Sequence, residues 1–243
     1  MPQLPFTHFL NGLFAGPVNS LLNAVNHPAA DPAAPIANWF AMEVLVVGGL
    51  IVFFALIRMR LSAENPNGFQ HMGELLNEFI TGQSEEIIGH HSEGFTPFLA
   101  TLFVFILIAN LMGLVPTLAS PTANPAVPLG LALLAWFYYH IHGVIKQGPW
   151  KYFLHFFGPV WWLGWLMFPI EVVSHMARAL SLTIRLYANI FAGDMVTLVF
   201  FSLVPVVLPI AFLGLHIFVS LLQAYIFVLL TTVYLSGAVA EEH

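Results

Sequence analysis

The chain has 243 residues, of which 59% are hydrophobic and only 7% are charged. Soluble domains carry about 25% charged residues, so this composition excludes an ordinary soluble protein and predicts a membrane protein surrounded by a lipid bilayer. The absence of cysteine excludes disulfides and thiolate metal sites. Because only six Lys and Arg residues are present, nucleic acid is not an expected partner.

Hydropathy predicts one all-α membrane domain over residues 1–243, with five transmembrane helices. Residues 1–35 lack a basic region and a small-residue cleavage site, so we expect no removable signal peptide. In chain order the predicted segments are an external N-terminal segment (1–38), a first span (39–60), a cytoplasmic amphipathic helix (64–93), a hairpin of two spans (95–147), an interfacial aromatic segment (148–168) and a second helical hairpin (169–243).

The surface helix and the span after it differ in their charge pattern. In residues 71–93, apolar residues fall at helical spacing against Glu74, Glu78, Glu85 and Glu86, which predicts a helix that lies on the membrane surface or on a partner. Residues 95–115 instead form a charge-free run of 21 residues. Such a run is long enough to cross a hydrocarbon core of about 30 Å.

The last two predicted helices are longer than a membrane requires. They cover about residues 169–202 and 209–240. At about 1.5 Å per residue they reach roughly 48–50 Å, against a core of about 30 Å. They must therefore tilt strongly or leave the core at their ends, although length alone fixes no angle.

The basic residues predict the orientation in the membrane. Arg58, Arg60, Lys146 and Lys151 flank spans and are separated by two crossings, so they share one side. The positive-inside rule assigns that side to the cytoplasm. We therefore expect the N-terminus outside and, after five crossings, the C-terminus in the cytoplasm.

One face of the fourth membrane helix carries a polar stripe. Its members recur at steps of three and four residues: Glu171, His175, Arg178, Leu182, Arg185 and Asn189. An Arg at the centre of a membrane helix costs about 2.5–3.5 kcal/mol even on lenient insertion scales, so Arg185 indicates a functional site. Asp194 follows Arg185 by nine residues, about 900° of rotation, and is expected on the opposite side of the helix.

The depth of each residue predicts its neighbours if the last two helices fold back about residues 201–205. Arg185 and Gln223 lie 18 and 20 residues from Leu203, and Asp194 and His216 lie nine and thirteen. We therefore predict that Arg185 lies near Gln223 and that Asp194 lies near His216.

The same region carries a family resemblance. The pattern Leu-x-x-Arg-Leu-x-x-Asn-x-x-Ala-Gly-Asp from Leu182 to Asp194, with Leu215-His216-Ile217 and Leu222-Gln223-Ala224-Tyr225 downstream, resembles the signature of subunit a of the F-type ATP synthase membrane sector. The match is specific over residues 171–243 and rests mainly on hydropathy before them. It implies a stator subunit that hydrolyses nothing itself. We expect a bacterial cell membrane, although an energy-transducing organelle membrane would select the same features. The implied partners are a ring of c subunits, peripheral-stalk b subunits and the remainder of the complex.

The resemblance also implies two half-channels separated by Arg185. Asp, Glu and His exchange protons near neutral pH after modest shifts, whereas Arg effectively never deprotonates and so would block a direct leak. The attraction between a cation and a carboxylate of the c-subunit ring about 4 Å away is about 4 kcal/mol at an effective dielectric of about 20. This attraction favours the ionised carboxylate and so favours release of its proton near Arg185. The implied route enters through His216, Asp194, Asn189 and Gln223 and leaves through Glu171 and His175. The sequence leaves open whether the ion is H⁺ or Na⁺.

Each of these groups has a structural alternative. Arg185 could form an interhelical ion pair, and Asp194 with His216 could be only a buried pair. Asn189 and Gln223 could simply hold two helices together. Glu171, His175 and Arg178 could form a solvated helix end.

Two other functions compete with the stator. A self-contained proton-coupled secondary transporter would use the same charges, but its internal repeats are not evident. A metal-dependent intramembrane enzyme lacks a ligand set, because His90-His91 and His140-Ile141-His142 do not have the His-Glu-x-x-His spacing. We expect neither a metal nor a cofactor, and the absence of a Walker-type loop assigns nucleotide chemistry to partner subunits.

Overall fold

The structure is a computed structural model that describes residues 3–29, 31–59, 61, 68–89, 92–115, 117–157, 161–203 and 207–239. Every regular element in these ranges is helical, which confirms the predicted all-α class. The α-helices are α1 (Pro5–Ala24), α2 (Asn38–Met59), α3 (Gly68–Ile88), α4 (Thr96–Leu111), α5 (Ala126–Gln147), α6 (Pro149–His155), α7 (Gly164–Leu203) and α8 (Val207–Val239). Arg60, His90, His91 and residues 204–206, between the last two predicted helices, lie outside the described residues.

Five helical stretches are long and apolar enough to cross a membrane, as predicted from the sequence. They are Asn38–Met59, Thr96–Leu114, Ala126–Gln147, Gly164–Phe200 and Ile210–Val239. The last two have 37 and 30 residues, well above the roughly 20 that a crossing requires. The long terminal hairpin is therefore present.

The helix α1 lies in the N-terminal segment and is not predicted from the composition of that segment. Pro17 lies inside this helix, at a position where proline usually breaks one. The buried Asn11 side chain anchors α1 to the chain before α2: its Nδ2 donates to the Ile36 carbonyl at 3.2 Å, and its Oδ1 accepts from the Ile36 N–H at 2.9 Å. Tertiary contacts therefore offset the local cost of the proline.

Two helix ends differ from the predicted positions for identifiable reasons. The helix α3 ends at Ile88 because Gly89 adopts a left-handed φ of 97° and donates its N–H to the Glu85 carbonyl at 3.0 Å, a conformation that favours glycine. The helix α7 begins at Gly164, five residues before Pro169. The first four amides of a helix have no intrahelical partner, so a proline this close to the start removes only the bond to the Trp165 carbonyl.

The helix α8 forms the centre of the bundle, since it packs against α3, α4, α5 and α7. Its buried residues recur at helical spacing and include Ser220, Ala224, Phe227 and Thr231. The small side chains among them, Ser220, Ala224 and Thr231, let membrane helices approach closely. The hydroxyl of Thr231 donates to the Phe227 carbonyl at 2.8 Å, so its hydrogen-bonding need is met within α8.

Gly143, near the end of α5, allows α5, α6 and α8 to meet. A Cβ at this position would lie 2.5 Å from Tyr152 Cε2 in α6 and 3.1 Å from the Ala238 carbonyl oxygen in α8. Gln147, one turn later, donates to that same carbonyl at 3.0 Å. Only glycine fits this junction without a displacement.

We expect Gly143→Ala to destabilise the protein, because the added methyl must displace the buried Tyr152 ring or α8. Overpacking of this kind costs about 1–3 kcal/mol. Thermal unfolding of the purified protein in detergent measures the change. The matched control is Gly130→Ala in the same helix, whose Cβ would meet no heavy atom within 4 Å. Equal melting temperatures for the two variants would contradict the described junction.

Candidate functional site

The helices α7 and α8 pack antiparallel in a single register. Three contacts define it: Asp194 with His216, Asn189 with Gln223, and Arg178 with Tyr234. The two residue numbers of each pair total 410 or 412, so a step along one helix is matched by a step back along the other. The three contacts extend over about 24 Å of α7 at about 1.5 Å per residue.

Asp194 and His216 face each other, as the sequence predicts. Asp194 Oδ1 lies 3.9 Å from His216 Nδ1, and the side chains are 33% and 5% exposed. Gly193 makes this approach possible, because a Cβ there would lie 3.1 Å from His216 Nδ1. Two groups that can exchange a proton are therefore adjacent, and only the carboxylate is partly accessible.

Gln223 pairs one helical turn away from its predicted neighbour. Asn189 Nδ2 donates to Gln223 Oε1 at 2.8 Å, whereas the depth argument matched Gln223 with Arg185. The predicted centre of the hairpin is Leu203, whereas the midpoints of the observed contacts are residues 205 and 206. We call Asn189, Asp194, His216 and Gln223 the hairpin-side cluster.

A cleft of about 240 Å³ opens between α7 and α8 beside this cluster. Its lining includes Asn189, Gly193 and Thr197 of α7 and Phe212, His216 and Val219 of α8. Liquid water occupies about 30 Å³ per molecule, so the cleft is large enough for several water molecules. Within the described ranges, His216 Nε2 is buried without a hydrogen-bond partner.

The connection between α4 and α5 closes the other side of Asp194. A Cβ on Gly113 would lie 3.7 Å from Asp194 Oδ1 and 3.2 Å from Ser120 Cβ. The Ser120 and Thr122 hydroxyls are 2.7 Å apart, and Thr122 donates to Asn110 Oδ1 at 2.6 Å. This buried polar patch is not predicted from the sequence. Its signal was an asparagine near the end of a span, where polar side chains need protein partners.

Arg185 lies on α7 between this cluster and the start of the helix, and it is partly exposed. Its Nη2 donates to Ser181 Oγ at 3.3 Å. In the part of the chain that the structure describes, no carboxylate lies within 4.0 Å of its guanidinium. The described residues therefore leave its charge without a counter-ion.

Glu171 and His175 belong to a second cluster near the start of α7. His175 Nε2 lies 3.3 Å from Glu171 Oε1, and His175 Nδ1 lies 2.9 Å from the Tyr139 hydroxyl of α5. The next residue, His140, shares a hydrogen bond through Nδ1 with the Tyr152 hydroxyl of α6. The ring centroids of His140 and His175 are 4.7 Å apart. We call these five residues the α6-side cluster.

The Tyr152 hydroxyl remains protonated in this cluster. Burial raises the pKa of Tyr152 to about 12, an effect that Arg178 opposes and Glu171 strengthens. The hydroxyl therefore keeps its proton at neutral pH, and the direction of its hydrogen bond with His140 Nδ1 depends on the tautomer of that imidazole.

Only part of the α6-side cluster is predicted from the sequence. Glu171 and His175 are predicted site residues and His140 is considered only as a metal ligand, whereas Tyr139 and Tyr152 are not predicted. The missed signal was a Tyr-His pair inside a predicted span, again a place where polar groups need partners. Among the described residues, no three His, Cys, Asp or Glu side chains are grouped so as to hold a metal ion.

Comparison with known proteins confirms the family resemblance. The family model for the ATP synthase A chain matches residues 40–236. The chain belongs to the ATP synthase A chain family. It is 54% identical to the ATP synthase subunit a of Koribacter versatilis, over 99% of the chain and 98% of that protein. It is 51% identical to that of Solibacter usitatus, over 96% and 99%, and 38% identical to that of Helicobacter hepaticus, over 86% and 92%.

Membership in the ATP synthase A chain family, with its five membrane-crossing helices, makes the chain a multi-pass subunit of the F-type ATP synthase membrane sector. The chain therefore works with the rest of that complex. This assignment replaces the alternative of a self-contained transporter.

We expect Gly193→Ala to lower ATP-driven proton pumping severalfold, because the added methyl forces the His216 ring away from Asp194. Fluorescence quenching of a pH dye in inverted membrane vesicles measures the pumping. Gly214→Ala is the matched control on α8, because its Cβ would meet no heavy atom within 4 Å. If both variants pump like the parent at equal levels of assembled complex, the close approach of His216 does not matter for transport.

Proposed function

We propose that the chain is the non-catalytic, proton-conducting stator subunit of the complex, with two half-channels that meet at Arg185. The hairpin-side cluster belongs to one half-channel, and Glu171 and His175 belong to the other. The observation that carries this proposal is the position of Arg185 between two groups of titratable side chains. The partners of this activity would be the carboxylates of a ring of c subunits and the peripheral-stalk b subunits.

The distances along α7 support two separate half-channels. Arg185 is ten residues from His175 and nine from Asp194, or about 15 and 14 Å at about 1.5 Å per residue. A hydrogen bond reaches only about 3 Å, so no direct transfer joins the clusters. Because arginine does not deprotonate, it cannot relay a proton between them.

The missing counter-ion of Arg185 supports a partner carboxylate. A charge in a membrane helix needs a partner or water, and the described residues provide no acid beside the guanidinium. The exposed apolar side chains of Leu180 and Ile184, on the adjoining face of α7, suit a surface that lies against an apolar rotor. A ring carboxyl brought opposite Arg185 would release its proton and would regain one after moving away.

The proposed orientation and segment limits follow from the basic residues and the helix order. We propose that the N-terminus and residues 1–38 are external, that the C-terminus and the amphipathic helix are cytoplasmic, and that residues 169–243 form the proton-path hairpin of a bacterial cell-membrane protein. Protons would enter from outside at the hairpin-side cluster and leave to the cytoplasm at Glu171 and His175.

The first test is Arg185→Gln. We expect loss of ATP-driven pumping in inverted vesicles, whereas passive proton leak through the membrane sector without its catalytic head is retained or raised, because the barrier between half-channels is gone. Lys146→Gln removes an exposed cation at the end of α5 and should pump normally. Pumping that survived in Arg185→Gln would overturn the proposal.

The two half-channels should open on opposite sides of the membrane. Because the chain has no cysteine, single-cysteine variants in an otherwise cysteine-free complex report access to a charged, membrane-impermeant thiol reagent. We expect Asp194→Cys to be labelled from outside and Glu171→Cys from the cytoplasm. Ile184→Cys, on the exposed apolar face, should be labelled from neither side. Labelling of both channel positions from one side would contradict the arrangement.

A further inference from the structure

We propose that Tyr139 is a positioning residue that holds the His175 imidazole with its Nε2–H directed at Glu171. This inference rests on the proposed function, because it assigns Tyr139 to the half-channel that contains Glu171 and His175. The carrying observation is the chain of contacts from Tyr139 through His175 to Glu171 across α5 and α7.

The contacts define which nitrogen of His175 carries the proton. An ionised carboxylate has only acceptor oxygens, so the nitrogen that faces Glu171 Oε1 at 3.3 Å must be an N–H. In the neutral ring the other nitrogen, Nδ1, is then an acceptor, and the Tyr139 hydroxyl at 2.9 Å is its donor. In this ring orientation Glu171 places the proton on Nε2, and the Tyr139 hydroxyl supplies the hydrogen bond of Nδ1.

The same hydroxyl also fits the protonated ring. When His175 carries a second proton, Nδ1 becomes a donor, and the Tyr139 oxygen accepts from it after the hydroxyl hydrogen rotates away. The ring keeps its orientation toward Glu171 in both states. A residue with only a donor or only an acceptor would lose its hydrogen bond in one of them.

The surroundings restrain the plane of the His175 ring but not its flip. The ring centroids of His140 and Phe156 lie 4.7 and 5.1 Å from that of His175. Rotation of the ring by a half turn would keep these ring contacts but turn its nitrogens away from Glu171. Tyr139 is 2% exposed, so its hydroxyl is held in place by packing. Its hydrogen bond to Nδ1 favours the ring orientation in which Nε2 faces Glu171.

The test compares Tyr139→Phe with Tyr138→Phe. The first variant removes the hydroxyl at His175, whereas the second makes the same change on the neighbouring residue, whose ring stacks on Phe98 with centroids 3.7 Å apart. We expect Tyr139→Phe to slow ATP-driven pumping about fivefold, the change for one lost ordinary hydrogen bond, and Tyr138→Phe to pump normally. Equal pumping by both variants would overturn the proposal.

Nitrogen NMR of the histidine-labelled complex separates positioning from packing. The His175 signals, assigned by their loss in His175→Ala, should report the Nε2–H tautomer in the parent and a mixture of tautomers in Tyr139→Phe. An unchanged tautomer would overturn the positioning role even if pumping fell. Full pumping by His175→Ala would instead remove the proposed route through His175, so the two failures are distinguishable.

Discussion

The structure depends on one constraint, which is that hydrocarbon offers no hydrogen bonds to a polar side chain. Polar side chains on α7 therefore pair with polar side chains on the helices that pack against it. Asn189 pairs with Gln223, Asp194 with His216, and His175 with Tyr139. Because several such pairs must form together, the register of α7 against α8 is strongly determined, and a slip of one turn would leave several polar groups in an apolar setting.

Arg185 is the exception to this pairing, and the exception suits its proposed role. Its guanidinium contacts Ser181 on its own helix, and the described residues provide no carboxylate for it. A cation that the described residues do not neutralise can attract an acid from a moving partner and let that acid leave again. A permanent internal ion pair would compete with each arriving carboxylate.

Glycines and small residues let the polar groups come together. Gly193 lets the His216 ring approach α7, Gly113 leaves room beside Asp194, and Gly143 accepts the Tyr152 ring. At each position the missing side chain is what allows a polar or aromatic group from another element to reach its partner. The clusters at the two ends of the hairpin are therefore products of close packing between distant segments of the chain.

The sequence by itself determined the membrane class, the five crossings, the polar stripe on α7 and the pairing of Asp194 with His216, because hydropathy, helical period and distance from a turn are properties of the linear chain. Tertiary structure decided the rest. It sustains α1 despite Pro17, pairs Gln223 with Asn189, and brings Tyr139, His140 and Tyr152 to His175. These outcomes depend on which residues of different helices come into contact. Hydropathy and spacing do not define the position of a residue along a helix to within one turn, about 5.4 Å.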